Sequence, residues 1–116
     1  MKTYGLVGRN IDYSFSRKYF NTKFEREKIP AKYLNFDLAS IEEFRKIFEE
    51  NEAVSGLNVT IPYKQEVISF LNKLADAAAE INAVNTIKIE KDGSLTGYNT
   101  DYIGFTEAIR PHLKNV

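Results

Sequence analysis

The chain predicts an α/β fold: a mixed, mostly parallel open sheet with helices on both faces, a three-layer sandwich. Three observations lead there. Short β-prone runs alternate with segments of helical periodicity through the first two thirds of the chain, which implies parallel strands joined by right-handed crossovers. A Lys91-Asp92-Gly93 turn separates two later β-like runs and makes them an antiparallel hairpin. The length of 116 residues, with 43% apolar and 28% charged residues, suits a single folded domain rather than a disordered tail.

Taken in order, Tyr4 to Val7 is β-prone and ends at Gly8. From Ser14 to Lys28, Phe15, Tyr19, Phe20 and Phe24 recur at helical spacing, and Pro30 stops that helix. Tyr33 to Leu38 reads as the second strand. Ser40 begins a helix with a capping box, its hydroxyl accepting from the Glu43 amide; Ile41, Phe44, Ile47 and Phe48 form the apolar stripe behind it. Val54 to Thr60 is a third strand, and Pro62 suits the first turn of a following helix. Glu66 to Leu74 and Ala75 to Ile81 read as two helical pieces, and Ala83 to Glu90 and Ser94 to Asn99 as the hairpin. Asp101 to Lys114 is a final helix, broken or kinked near Pro111.

Composition removes several classes of function. Lys+Arg and Asp+Glu are both 16, so the formal charge is zero and the basic excess of a nucleic-acid binder is missing. No cysteine is present, which excludes disulfides, thiolate metal sites and cysteine nucleophiles. The single histidine, His112, argues against a histidine triad or a multi-histidine metal site. No apolar run approaches the ~20 residues of a membrane span. Met1-Lys2-Thr3-Tyr4 lacks the apolar core of a signal peptide, so a reduced, cytoplasmic compartment is expected.

Open α/β sheets bind ligands beyond the carboxyl ends of their strands. Polar residues gather there: Ser14 and Ser16 after the first strand, Asn58 and Thr60 closing the third, Asn85-Thr86 in the fourth and Asn99-Thr100-Asp101 ending the fifth. Lys64 sits two residues past Pro62, in the first turn of a helix. Hydroxyls, amides, one ammonium and one carboxylate suit a small polyhydroxylated acid, because every buried donor and acceptor of such a ligand needs a partner. Each residue also has a plainer reading. Ser14 and Ser16 serve equally as a helix N-cap pair, Thr60 and Asp101 as caps, and Lys64 as solvated surface. Asn85 resists one, since asparagine is depleted in strands.

These motifs resemble the N-terminal, substrate-binding domain of the shikimate dehydrogenase family. The resemblance runs through Gly5-Leu6-Val7-Gly8, Ser14-Phe15-Ser16, Gly56-Leu57-Asn58-Val59-Thr60-Ile61-Pro62-Tyr63-Lys64, Ala83-Val84-Asn85-Thr86 and Gly97-Tyr98-Asn99-Thr100-Asp101, with Gly104 beyond. It implies the amino-acid-dehydrogenase-like N-terminal fold and the NADP-dependent interconversion of 3-dehydroshikimate and shikimate, on the chorismate route to aromatic amino acids. It implies that Ser14 and Ser16 hold the substrate carboxylate, and that Thr60, Asn85 and Asp101 bond the ring hydroxyls. Lys64, paired with Asp101, is implied as the catalytic acid/base, acting by proton transfer or by stabilising alkoxide charge. Asp76 matches an acidic position near the cofactor in some members.

The chain also departs from the family pattern. Asn10, Tyr13, Arg17 and Phe20 replace Pro, His, Pro and His around the serines, though Asn21 fits, and Asn82 replaces a Gly. No G-x-G-x-x-G dinucleotide turn occurs. The expectation is therefore a shikimate-binding domain over residues 1–100 and, from 101 to 116, the start of a connector helix toward an absent NADP-binding domain, inactive alone as a redox catalyst. Alternatives are a quinate/shikimate dehydrogenase relative and a non-catalytic shikimate-binding module.

Overall fold

The computed structural model describes residues 1–12 and 14–100; the expected final helix, with Asp101, lies outside the described residues. Strand β1 (Lys2–Gly8) leads to helix α1 (Ser16–Arg26) and strand β2 (Ala31–Asp37). A 3₁₀ segment, Ile41–Arg45, runs into the short helix α2 (Lys46–Glu50), and β3 (Val54–Val59) follows. A second 3₁₀ segment, Glu66–Phe70, precedes β4 (Lys73–Leu74), α3 (Asp76–Ile81) and the hairpin β5 (Thr86–Ile89) and β6 (Leu95–Tyr98).

The six strands form one sheet in the order β2-β1-β3-β5-β6-β4. β1 pairs in parallel with both β2 and β3, β4 in parallel with β6, and β5 antiparallel to β3 and β6. The mixed, mostly parallel sheet is thus as expected, with β5 alone reversed. The physical consequence is a single functional edge. Reversing one strand places the start of β5 beside the carboxyl ends of β1, β2, β3 and β6.

β1 is central, so its residues are buried on alternate faces, as a strand covered on both sides requires. Val7, Leu57, Val59 and Ile87 face a large core closed by Phe44, Ile47, Tyr63, Val67, Ala78 and Val84. Leu6 and Tyr33 face the opposite side, where Phe20 and Phe24 of α1 cover them. Phe44 stands edge-on to Phe48, centroids 5.4 Å apart, and Phe70 closes on it from the side at 5.5 Å.

Several local expectations are corrected. Helix α1 stops at Arg26 rather than Lys28, because Lys28 turns left-handed (φ 57°) while Ile29 N–H donates to Phe24 O at 2.8 Å and Lys28 N–H to Glu25 O at 3.2 Å. That is a Schellman closure, two residues before Pro30 acts. The Ser40 hydroxyl accepts from Glu42 N–H at 3.3 Å, not from Glu43, whose N–H takes the Ser40 carbonyl, and a 3₁₀ turn results. Pro62 does not open a helix; the Ile61–Pro62 bond is cis and the turn closes through Tyr63 N–H to Thr60 O at 3.0 Å.

The expected helix Glu66–Leu74 ends at Phe70 and gives way to β4. Asn72 diverts it: its N–H donates to Leu95 O at 2.9 Å and its side-chain oxygen accepts from Leu95 N–H at 2.8 Å. These bonds draw the chain alongside β6, and the apolar Leu71 and Leu74 pack against the core from an extended segment. Asn82 sits at the end of α3 in the left-handed region (φ 58°, ψ 42°), which explains why it stands where the family pattern has glycine. The predicted hairpin turn forms, with Gly93 at φ +87° and the Asp92 carboxylate accepting from Ser94 N–H at 2.9 Å.

Candidate active site

The site assembles on the edge defined by β5's reversal. After β1 the chain crosses the sheet end through Asn10, itself left-handed at φ 59°. The Asp37 carboxylate, at the end of β2, accepts from Asn10 N–H at 2.9 Å and Ile11 N–H at 3.2 Å. Ile11 O then accepts from Ser14 N–H at 2.9 Å. The loop carrying the serines is therefore held from β2, in a conformation a proline at position 10 would forbid.

Ser14 Oγ accepts from Ser16 N–H at 3.2 Å, but the N-cap of α1 is Phe15 and carries no side-chain capping bond, so the expected serine N-cap pair is replaced by a local turn just ahead of the helix. That bond uses a lone pair of the Ser14 oxygen and not its proton. Ser14 and Ser16 line a cleft of about 370 Å³ together with Leu6, Ile11, Phe15 and Thr60.

Thr60 is not a helix cap. Its N–H donates to Val7 O at 2.9 Å and its carbonyl closes the Pro62 turn. Gly8 makes this approach possible: a Cβ there would lie 2.6 Å from the Thr60 methyl and 2.7 Å from Ile11 Cγ2. Thus two segments fifty residues apart meet at the cleft because β1 and β3 are neighbours.

Lys64 lies in a turn before the second 3₁₀ segment, not inside a helix as expected. Its carbonyl accepts from Val84 N–H at 2.8 Å, which couples it to the segment entering β5. The adjacent Tyr63 is 2% exposed and donates its phenol proton to Leu38 O at 2.6 Å. Burial pushes the Tyr63 phenol pKa up, so the hydroxyl is a neutral donor.

Asn85 sits one residue before β5 rather than within it. Its N–H donates to Tyr98 O at 3.0 Å and its carbonyl accepts from Val59 N–H at 2.8 Å, clasping β3 and β6 together. Its Oδ1 accepts from Thr100 N–H (2.9 Å), Thr100 Oγ1 (3.2 Å) and Thr86 Oγ1 (3.1 Å). The acceptor side of this amide is filled, which leaves Nδ2 as its free donor among the described residues. Thr100, the residue before Asp101, is thereby tied to the site edge. Asp76 is exposed and begins α3 after the outer strand β4, four strands from β1, so the structure does not bring it to the serine cleft. The buried Asn99 amide supports the edge by donating to Ala83 O at 3.1 Å.

One contributor was not anticipated: Asp37 clamps the serine loop, and asking of β2 what was asked of the other strands would have found it. Asn58 was expected among the strand-end residues, but not its partner: its Nδ2 donates to the Tyr33 phenol at 2.8 Å, a pairing that needs the register of three strands to be known. Among the described residues, no group of three His, Asp or Glu side chains could hold a metal ion. No helix among them is long and apolar enough to cross a membrane.

Ser14, Ser16 and Thr60 line the cleft, whereas Lys64 and Asn85 lie outside its lining on the same strand-end edge of this α/β sheet, the edge where ligands of such sheets commonly sit. The chain belongs to the shikimate dehydrogenase substrate binding domain family, whose model matches residues 6–87. It is 42% identical over 112 residues to a shikimate dehydrogenase (NADP(+)) of Clostridium botulinum, covering 95% of this chain and 43% of that protein. A crystal structure of shikimate dehydrogenase from Aquifex aeolicus superposes with a TM-score of 0.78 at 40% identity, over 96% of this chain and 42% of the other. That of the Thermus thermophilus enzyme, in complex with NADP(H) and shikimate, gives 0.79 at 28% identity, over 97% and 42%. The chain thus spans about two fifths of the length of these relatives.

An Asp37→Ala substitution releases two backbone amides of the serine loop. It is expected to weaken ligand binding at the cleft several-fold and to lower the melting temperature by a few degrees. Calorimetric titration alongside a thermal melt checks both.

Proposed function

We propose that this chain is the substrate-binding part of an NADP-dependent shikimate dehydrogenase, which reduces 3-dehydroshikimate reversibly to shikimate. The supporting observation is the convergence of Ser14, Ser16 and Thr60 on one cleft, with Lys64 and Asn85 tied to the same sheet edge. The serine hydroxyls donate to the carboxylate, and Thr60 and the Asn85 amide bond the ring hydroxyls. Lys64 gives a proton to the carbonyl oxygen as it becomes an alkoxide, and takes one back in the reverse direction. Asp101, the next residue after Thr100, joins this group as the partner of Lys64.

The described residues contain no glycine-rich turn that would cradle a dinucleotide pyrophosphate, so the cofactor is assigned to other parts of the whole protein. NADPH supplies the hydride there. On this reading residues 1–100 are the substrate domain, 101–116 lead toward the cofactor domain, and Asp76 is a peripheral cofactor contact at most. A cysteine-free chain is at home in the reducing cytoplasm.

Ser14→Ala tests the assignment. It is expected to weaken shikimate binding about tenfold, because a donor to a charged carboxylate is lost. Isothermal calorimetry giving equal affinities for the two proteins would count against carboxylate recognition by this loop.

A further inference from the structure

We propose that Thr86 and Thr100 are positioning residues for the site: they hold the Asn85 side-chain oxygen, so that the Asn85 amide meets a ligand only as a donor and selects a ligand oxygen that accepts. This deepens the reading above and rests on it.

The main chain of Asn85 is fixed first, between Val59 N–H at 2.8 Å and Tyr98 O at 3.0 Å. The hairpin register sets Thr86 opposite Tyr98, and two residues past Tyr98 the chain returns to Asn85 at Thr100. Three donors then converge on Asn85 Oδ1: Thr100 N–H at 2.9 Å, Thr86 Oγ1 at 3.1 Å and Thr100 Oγ1 at 3.2 Å. The backbone donor decides which way the amide lies. A main-chain N–H donates and never accepts, so the atom that faces it is the oxygen. Turning the amide over would set its NH₂ against that N–H, donor to donor, and forfeit the shortest of the three bonds.

Lone pairs decide what a ligand meets. An amide oxygen carries two, and three donors more than occupy them, so a ligand hydroxyl finds no acceptor there. Nδ2 is the other arm of the same plane and has no partner among the described residues. Donors gathered on the oxygen polarise the amide and strengthen its N–H groups as donors. The ligand atom that suits them is a carbonyl oxygen, or a hydroxyl oxygen turned lone pair inward. Thr100 reads as a cap for the chain that follows it, yet its hydroxyl proton is spent on Asn85 instead.

Threonines that merely staple the end of β6 to the start of β5 would cost affinity whether or not Asn85 is present. Calorimetric titration of shikimate into the Thr86→Val/Thr100→Val double variant, with Asn85 intact and as Asn85→Ala, separates the two roles. With Asn85 intact the double variant is expected to bind about tenfold more weakly than wild type. In the Asn85→Ala background the same pair is expected to change affinity by less than about twofold, because both threonines act through that amide. Serine at both positions restores the hydroxyls and is expected to bring affinity back within about twofold of wild type. A loss that persists without Asn85, or that serine does not restore, would overturn the proposal. Should the double valine variant not fold, the nitrogen-15 signal of the Asn85 side-chain amide is read in the wild-type protein and in Thr86→Val. It is expected to shift when shikimate is added to the wild type, and to shift less in Thr86→Val; an unmoved signal in protein that binds shikimate overturns the donor role. Wild-type protein that takes up no shikimate instead overturns the function proposed above.

Discussion

Replacing Lys64 by alanine in the whole enzyme is expected to lower turnover roughly 10²–10⁴-fold, with a much smaller change in shikimate affinity. The reaction proposed above leaves little choice of residue. Reducing a ketone requires a proton at the oxygen as hydride arrives at carbon. Within this chain the one histidine is His112 and cysteine is absent, so Lys64 is the side chain on the site edge chemically matched to that task. Its placement is also fixed from two directions. Val84 N–H holds its carbonyl at 2.8 Å, and the preceding Tyr63 is anchored in the core. Steady-state kinetics in both directions provide the check. Unchanged turnover would remove Lys64 from the chemistry, whereas a rise in KM alone would make it a binding residue.

Tyr63→Ala is expected to cost about 3–5 kcal/mol of stability, the range for deleting a large buried ring. Marginal domains carry only about 5–15 kcal/mol in total, so this variant sits close to unfolding. Its effect reaches the site because Tyr63 is the core anchor of the turn that carries Lys64. Tyr63→Phe isolates the hydroxyl and is expected to cost about 1–3 kcal/mol, since Leu38 O loses its buried donor.

The two proteins also differ in alkali. Burial raises the folded pKa of Tyr63 above 10.0, so the unfolded chain releases this proton first as pH climbs. Stability from that shift is complete below about pH 10 and declines as pH rises toward the folded value. Urea denaturation at pH 8, 10 and 11 is expected to show a falling midpoint that Tyr63→Phe makes shallower, with the Tyr33 contribution remaining. A wild-type midpoint unchanged across that range would contradict the buried, neutral phenol.

Much of this molecule was legible before folding was considered. Alternation of strand and helix patterns announced the parallel half of the sheet, and Lys91-Asp92-Gly93 announced the hairpin, because both signals are local. The segment Asn58-Val59-Thr60-Ile61-Pro62-Tyr63-Lys64 identified the family through residue types alone. Other features resisted for definite reasons. Periodicity shows that Leu71 and Leu74 are apolar but not whether a helix or a strand buries them; Asn72 pairing with Leu95 decided that. Residue type alone left Ser14 as either a cap or a ligand donor; the loop conformation decided that its oxygen accepts from Ser16 N–H in a turn just ahead of the Phe15 cap.

By itself the sequence determined which elements form and which polar residues end them, since propensity, capping and turn chemistry act over a few residues. Only the tertiary structure decided that these ends share one edge. The reversal of β5 is a property of strand pairing, and it alone places Asn85 beside Val59 and Tyr98. The Asp37 clamp and the Asn58–Tyr33 bond join residues 25 to 27 positions apart, across strands whose register no local pattern encodes.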